Sequence, residues 1–381
     1  MILTSMVNLH VDLAALEHNY RQLRLLCEPK VKMLAVVKAD AYGHGLLPVA
    51  RTLARLGADY LGVGSLEEGL VLRQAGLTQP ILLLLGILPR EAERAVAADL
   101  EVVLFRRDVA QALAAAARSQ AKPARAHLKV DTGMGRLGLF PGEVPEFLAG
   151  LREFSQLEVL GLISHLAVAD EEDKAYTFKQ LQEFSGLVAT ARSQGWTLPL
   201  NHLSNSAALW EHKEAHLDLV RPGLMLYGSP PSPSRPPPIT LKPVMTLATE
   251  VLQVKRLPPE SSISYGCTYT TRDWCDLAVL PVGYCNGYNR LLSNRGAALV
   301  RGRRAPIRGR VCMNLTMVEV TGIPGVKPGD RVTLLGQDQN ERISAEELAA
   351  WADTISYEVY CLLGAANPRL YQGARDGEKT G

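Results

Sequence analysis

No stretch of this sequence is long and apolar enough to cross a bilayer. The longest strongly apolar run, "ILLLLGIL", is well under half the length a spanning helix needs. The opening "MILTSMVNLHVDL" lacks a basic segment followed by an apolar one, so a cytoplasmic location is expected. Charge of one sign is also scarce in excess: the formal net charge is +2 and no long block of like charge occurs. Nucleic acid and acidic membrane surfaces are therefore not indicated, and a small molecule is the expected partner. The six cysteines (Cys27, Cys267, Cys275, Cys285, Cys312 and Cys361) show no CxxC spacing and no small-domain framework, which predicts buried, reduced thiols. Metal is not implied. "HKEAH" sets His212 and His216 four apart, but it lacks the HExxH order and a third ligand, so it reads as a solvated helix end.

What is present is the material of an ordinary globular protein: 381 residues, 47% hydrophobic and 21% charged, enough for two domains or one large and one small. Short runs rich in Val, Ile and Leu recur along the first two thirds: 33–40, 60–65, 81–86, 101–105, 126–132, 159–166, 198–204 and 219–228. Apolar on both faces, they read as buried parallel strands. Helical patterns lie between them. In "SLEEGLVLRQAG", Ser65 and Glu68 read as a capping box and Gly76 as the C-terminal stop. Eight strands alternating with helices predict a (β/α)8 TIM barrel. Periodicity alone leaves a doubly wound sheet open, although no GxGxxG follows the first strand.

The proline-rich "SPPSPSRPPPIT" after Gly228 reads as a stiff connector, dividing a barrel over residues 1–235 from a mostly β domain over residues 236–381. In the latter, "SAEELAAWADT" is expected to be the last helix.

Barrel enzymes place their chemistry at the C-terminal ends of the strands, and polar residues gather at those ends here. Lys38 ends the first strand, Arg136 follows the fifth, His165 lies near the end of the sixth, "SNS" (204–206) follows the seventh, and Arg221 and Gly223 lie in the eighth. Ser206 opens a helix and Gly223 frees a nearby backbone amide, a plausible anion cradle. Alone, Lys38 is better read as a strand-end cation reaching for solvent. A lysine near a phosphate cradle instead suggests pyridoxal phosphate.

The segments "VVKADAYGHG", "HLKVDTGMGRLG", "SNSAA", "VRPGLMLYG", "ISYGCTYT", "PVGYCNGYNR", "RVCMN" and "TISYEV" are together similar to the alanine racemase family of barrel-class pyridoxal-phosphate enzymes, in its order and spacing. The resemblance implies that Lys38 carries pyridoxal 5'-phosphate covalently and that Tyr42, Asn205, Ser206, Gly223, Leu224 and Tyr357 belong to the cofactor site. Racemisation needs a base on each face of the substrate, and the resemblance makes these Lys38 and Tyr265, the latter supported by His165 and Arg221. Arg221 matches the residue facing the pyridine nitrogen. Arg136 matches a cofactor and substrate contact, the Met313 amide would meet the substrate carboxylate, and Lys129 matches a lysine the family often carbamylates.

The implied enzyme interconverts L- and D-alanine, supplying D-alanine for peptidoglycan, as a homodimer whose sites are shared between subunits. Asn286 and Asn314 stand where the family usually has Asp, and Ala366 where it has Arg. These departures keep a serine or broad-specificity racemase in view. A barrel-class decarboxylase would carry an acidic residue in place of Arg221, and a pyridoxal-phosphate homeostasis protein would lack the second domain and Tyr265.

Overall fold

A computed structural model describes residues 6–232, 235 and 237–373. Contacts divide the chain into two units, one of Glu17–Ala41 with Leu46–Leu241, the other of Met1–Leu16, Tyr42–Gly45 and Lys242–Gly381. A single cut near residue 235 therefore does not describe it. Strand β1 (Val7–Asp12) alternates buried and half-buried residues and finds its hydrogen-bond partners in the second unit. Local periodicity marks such a strand without naming its partner.

The first unit is built on β2 (Lys32–Val36), β3 (Tyr60–Val63), β4 (Ile81–Leu83), β5 (Glu101–Leu104), β6 (Ala124–Lys129), β7 (Leu157–Ile163) and β8 (Leu219–Val220). They form a parallel sheet in the order β7-β6-β5-β4-β3-β2-β8. Every residue of β3, β4 and β5 is buried, as strands covered on both faces must be. The predicted strand 198–204 is not regular, yet it closes the circle. Leu200 and His202 donate to the Leu160 and Leu162 carbonyls (3.0 and 2.9 Å), while Asp218 and Arg221 donate to the Asn201 and Ser204 carbonyls (3.1 Å each).

Its irregularity has a cause in Asn201, whose side chain takes over ladder bonds. Asn201 Oδ1 accepts from the Leu162 N–H (3.1 Å), and the Asp218 carboxylate accepts from the Asn201 backbone and side-chain amides (2.8 and 3.0 Å). The strands approach closely at Gly161, where a Cβ would lie 1.8 Å from the Leu200 carbonyl oxygen. Only glycine fits there.

The helix Leu66–Gln74 begins where predicted, with Ser65 Oγ accepting from the Glu68 N–H (3.2 Å). The reciprocal half of the box is absent, because the Glu68 carboxylate accepts from the Gly64 and Asp40 N–H groups instead (2.7 and 2.9 Å). His212 and His216 are buried, not solvated: His216 Nε2 bonds the Leu209 carbonyl (2.7 Å), and His212 packs edge-on against Phe178. Part of the proline-rich connector, residues 233, 234 and 236, lies outside the described residues.

The second unit adds β9 (Met245–Glu250), β10 (Gln253–Leu257), β11 (Ser262–Ile263), β12 (Tyr269–Thr270), β13 (Cys275–Leu280), β14 (Ala297–Val300), β15 (Arg303–Pro306), β16 (Thr316–Glu319), β17 (Arg331–Asp338), β18 (Glu341–Ile343) and β19 (Arg369–Gln372). Its main sheet runs β15-β14-β17-β9-β1-β19, with β18 on β17. A second sheet runs β10-β13-β16, and β11 pairs with β12. In the main sheet Leu9 faces Leu247 across an antiparallel pair and Arg369 across a parallel one.

The helix Ala345–Trp351 forms on its Ser344 cap but is not the last, for Ser356–Ala366 follows it. Tyr357, Val359 and Tyr360 give that segment a strand-like composition which its tertiary packing overrides. None of the six cysteines forms a disulfide. Only Cys275 is buried, while Cys267 and Cys285 are exposed, which corrects the expectation of buried thiols.

Candidate active site

Lys38 stands where the β2 ladder ends, just after Val37 donates to the Gly62 carbonyl (2.8 Å), and it is half-buried. Beyond it the chain turns the wrong way for L-residues. Ala39, Asp40, Ala41 and Tyr42 all have φ of 53–54°, a left-handed turn. Each such residue costs about 1–2 kcal/mol. Two carboxylates of the same unit offset the strain: Glu68 accepts from the Asp40 N–H, and Asp40 Oδ1 accepts from the Leu46 N–H (2.7 Å). The turn redirects the chain straight after Lys38, whose Cβ lies 3.5 Å from where a Cβ on Gly64 would be.

Arg136 ends the loop after β6. One carboxylate organises that loop: Asp131 accepts from the N–H groups of Gly133, Met134, Gly135 and Arg136 at 2.7–3.0 Å. These bonds hold the Asp131 carboxyl below its usual range against the opposing effect of burial. Asp131→Ala should therefore release the Arg136 backbone without touching β6. We expect a rise in substrate KM of about tenfold with a smaller change in melting temperature; an unchanged KM would show that Arg136 needs no such anchor.

Arg221, 5% exposed, is tied on three sides. Its Nη2 donates to the Ser164 and Leu203 carbonyls (2.7 and 3.1 Å) and lies 3.4 Å from His165 Nδ1, while Nη1 lies 3.1 Å from His202 Nδ1. Its Nε–H makes no hydrogen bond among the described residues. Burial, then the charge of Arg136, pushes its pKa down to about 9, so it stays charged at neutral pH. His165 is held well below the usual histidine range by burial and by Arg221, and is neutral there. The pKa of Lys129, the last residue of β6, is likewise held well below the ordinary lysine value by burial and by Arg221 and Arg136.

Ser206 and Gly223 do come together, though not as an open cradle: the Gly223 N–H donates to Ser206 Oγ (2.9 Å). Asn205 caps the short helix Ser206–Glu211 by accepting from the Ala208 N–H (3.0 Å). Leu224 begins a buried single turn directly after Gly223.

The remaining candidates belong to the second unit. Tyr42, buried, packs against Tyr357 with ring centroids 5.8 Å apart. Burial, with Tyr357 adding to it, raises the Tyr42 pKa. Tyr265 lies between Ser264 (φ 66°) and Gly266 (φ 72°) and is 72% exposed, flanked by apolar Ile263, Leu277, Leu315 and Met317. Met313 is also exposed. Its carbonyl accepts from the Cys285 N–H (3.0 Å), while its own N–H makes no hydrogen bond among the described residues. Gly283 allows this loop to close, since a Cβ there would lie 2.1 Å from the Cys312 carbonyl oxygen. Asn314 Nδ2 bonds Cys285 Sγ (2.9 Å), and Asn286 exchanges bonds with Asn367 (2.9 and 3.3 Å). Ala366 ends the helix Ser356–Ala366.

Sequence reasoning missed Asp131 and Asp40 and gave Glu68 to a capping box; the work of all three is done by side-chain bonds to backbone. It also missed Glu101, His127 and His202, buried polar residues scattered over three strand segments. A charged or imidazole side chain inside an otherwise apolar strand was the available signal.

Two family descriptions match the chain: "Alanine racemase, N-terminal domain" over residues 11–231 and "Alanine racemase, C-terminal domain" over residues 244–371. An alanine racemase of Halothermothrix orenii is 44% identical over 367 residues, 96% of this chain and 97% of that protein. The fold is similar to the solved alanine racemase of D-cycloserine-producing Streptomyces lavendulae, with a TM-score of 0.92 and 35% identity over 98% of this chain and 99% of that one. It is also similar to the alanine racemase of Bartonella henselae described with covalently bound pyridoxal phosphate, with a TM-score of 0.86 and 28% identity over 97% and 100% of the two chains.

Proposed function

The chain belongs to the alanine racemase family, and from that premise we propose that it interconverts L- and D-alanine with pyridoxal 5'-phosphate, Lys38 and Tyr265 acting as bases on opposite faces of the substrate. The observation that carries this reading is Arg221: a buried guanidinium, fixed by two carbonyls and His202, with its Nε–H unused. A donor-only group fits an unprotonated pyridine nitrogen. Bound there, pyridoxal phosphate would supply a conjugated ring that acidifies the substrate α-proton, and Arg221 would keep the ring a modest electron sink, which favours proton return over transamination or decarboxylation.

Lys38 holds the cofactor and moves a proton on one face, while Tyr265 does so on the other. Arg221 provides the positive charge that a phenol with an intrinsic pKa of about 10 needs in order to act as a base, and the neutral His165 links the two in this reading. Arg136 and the Met313 N–H receive the substrate carboxylate. Asn205, Ser206, Gly223 and Leu224, with Tyr42 and Tyr357, form the phosphate end, the Ser206 hydroxyl turning from Gly223 to do so.

The working unit in this reading is a homodimer with shared sites. Its support is the exposure of Tyr265 beside an apolar groove, a surface that asks to be covered. The product would serve peptidoglycan synthesis. No helix among the described residues is long and apolar enough to cross a membrane.

Incubation with pyridoxal phosphate and L-alanine is expected to yield D-alanine and no carbon dioxide. Carbon dioxide release would overturn the reading in favour of a decarboxylase. Because Asn314 bonds Cys285 beside Met313, L-serine belongs in the same assay, and faster turnover of serine would move the assignment to a serine or broad-specificity racemase.

A further inference from the structure

TIM-barrel interiors are ordinarily filled by layers of branched apolar side chains. Here a line of polar groups crosses the interior, from the first residue of β5 to the residue after β8. Glu101 Oε2 lies 2.9 Å from His127 Nε2, His127 Nδ1 lies 2.9 Å from His202 Nε2, and His202 Nδ1 lies 3.1 Å from Arg221 Nη1. All four residues are buried, the two imidazoles wholly so and set perpendicular to each other. Apolar side chains of the same volume would be no less stable there. The line therefore calls for a use.

With both ends in place its direction is set: a guanidinium only donates, so His202 Nδ1 is bare where it accepts from Arg221, and a carboxylate only accepts, so His127 Nε2 carries the proton. A neutral His202 then carries its proton on Nε2 and donates to His127, whose Nδ1 must also be bare. His127 in turn donates from Nε2 to Glu101. Burial and the adjacent Arg221 hold His202 well below the usual histidine range, consistent with a neutral ring. A protonated His202 would point an N–H at a guanidinium N–H. At the far end, the Tyr60 hydroxyl reaches the other Glu101 oxygen at 3.5 Å.

We propose that Glu101 is a positioning residue for Arg221: from the opposite end of the barrel strands it fixes, through His127 and His202, the single order of tautomers that presents a bare nitrogen to the guanidinium. It is also the carboxylate on which the hydrogen-bonded path from the buried cation ends. Without Glu101, His127 is free to reverse, His202 can follow, and Arg221 then meets a donor where it had an acceptor.

The test is histidine-selective 15N NMR of the full-length protein, with signals assigned by His127→Asn and His202→Asn. Wild-type protein should show both rings neutral, with bare Nδ1 and protonated Nε2, whether or not cofactor is bound. Glu101→Gln, whose amide oxygen still accepts, should keep this pattern. Glu101→Met should mix the tautomers of both rings. The kinetic arm rests on the racemase reading: Glu101→Met should lower kcat about tenfold with KM changed by less than about twofold, because Arg221 does not contact the substrate carboxylate in that reading, and Glu101→Gln should recover most of the loss. A protonated Nδ1 on wild-type His202, a cationic ring, or unaltered tautomers in folded Glu101→Met would each overturn the proposal. The wild-type spectrum decides it even where Glu101→Met does not fold. Absence of cofactor binding or racemisation would sink the functional reading and leave the tautomer test standing.

Discussion

Lys38→Ala is expected to give a folded protein that holds no covalently attached pyridoxal phosphate and whose racemisation falls by at least about 10²–10⁴-fold, the range for loss of a positioned base. Folding should survive because Asp40 and Glu68 hold the left-handed turn after Lys38. Borohydride reduction of wild-type protein followed by peptide mapping provides the direct reading, with the cofactor expected on Lys38. The rival is specific. Lys129 is a buried lysine in the same unit whose pKa burial pushes down, and cofactor found on its peptide would overturn the assignment.

The second large effect is a recovery from near zero. Lys38→Ala and Tyr265→Ala proteins are each expected to be inactive alone and to regain about a quarter of wild-type activity when mixed under conditions of subunit exchange. Random pairing makes about half the dimers mixed, and each mixed dimer has one site with both bases and one with neither. The result follows if Tyr265 is supplied by the partner of the chain that supplies Lys38. If one chain supplied both, every site would lack a base. Demonstrated exchange without recovered activity would therefore reject the shared site.

The barrel was legible because short runs rich in Val, Ile and Leu, buried throughout in β3, β4 and β5, alternate with helical patterns. Lys38, Arg136, His165 and Arg221 were legible because barrels put polar residues at strand ends. What stayed hidden depends on distance along the chain. Asn201 made the strand expected at 198–204 irregular by giving ladder bonds to side chains, and Glu68 left the capping box for partners at Gly64 and Asp40. His127 and His202, 75 residues apart, share a hydrogen bond that no window of sequence contains. The helix Ser356–Ala366 was not expected, because Tyr357, Val359 and Tyr360 are poor helix formers and packing decides its form. The cysteines were judged by their spacing, which says little about exposure at an individual position.

Strand β1 sets a timetable for synthesis. Its antiparallel partner β9 leaves the ribosome some 240 residues later, and its parallel partner β19 some 360 residues later. At about 5–20 residues per second, β1 waits tens of seconds for β19. During that wait an alternating strand with two open edges is available to any other nascent chain. A chain cut short before Arg369 would therefore be more than an incomplete enzyme: it would display an adhesive edge, and in a cell it would be found with holdase chaperones or in aggregates.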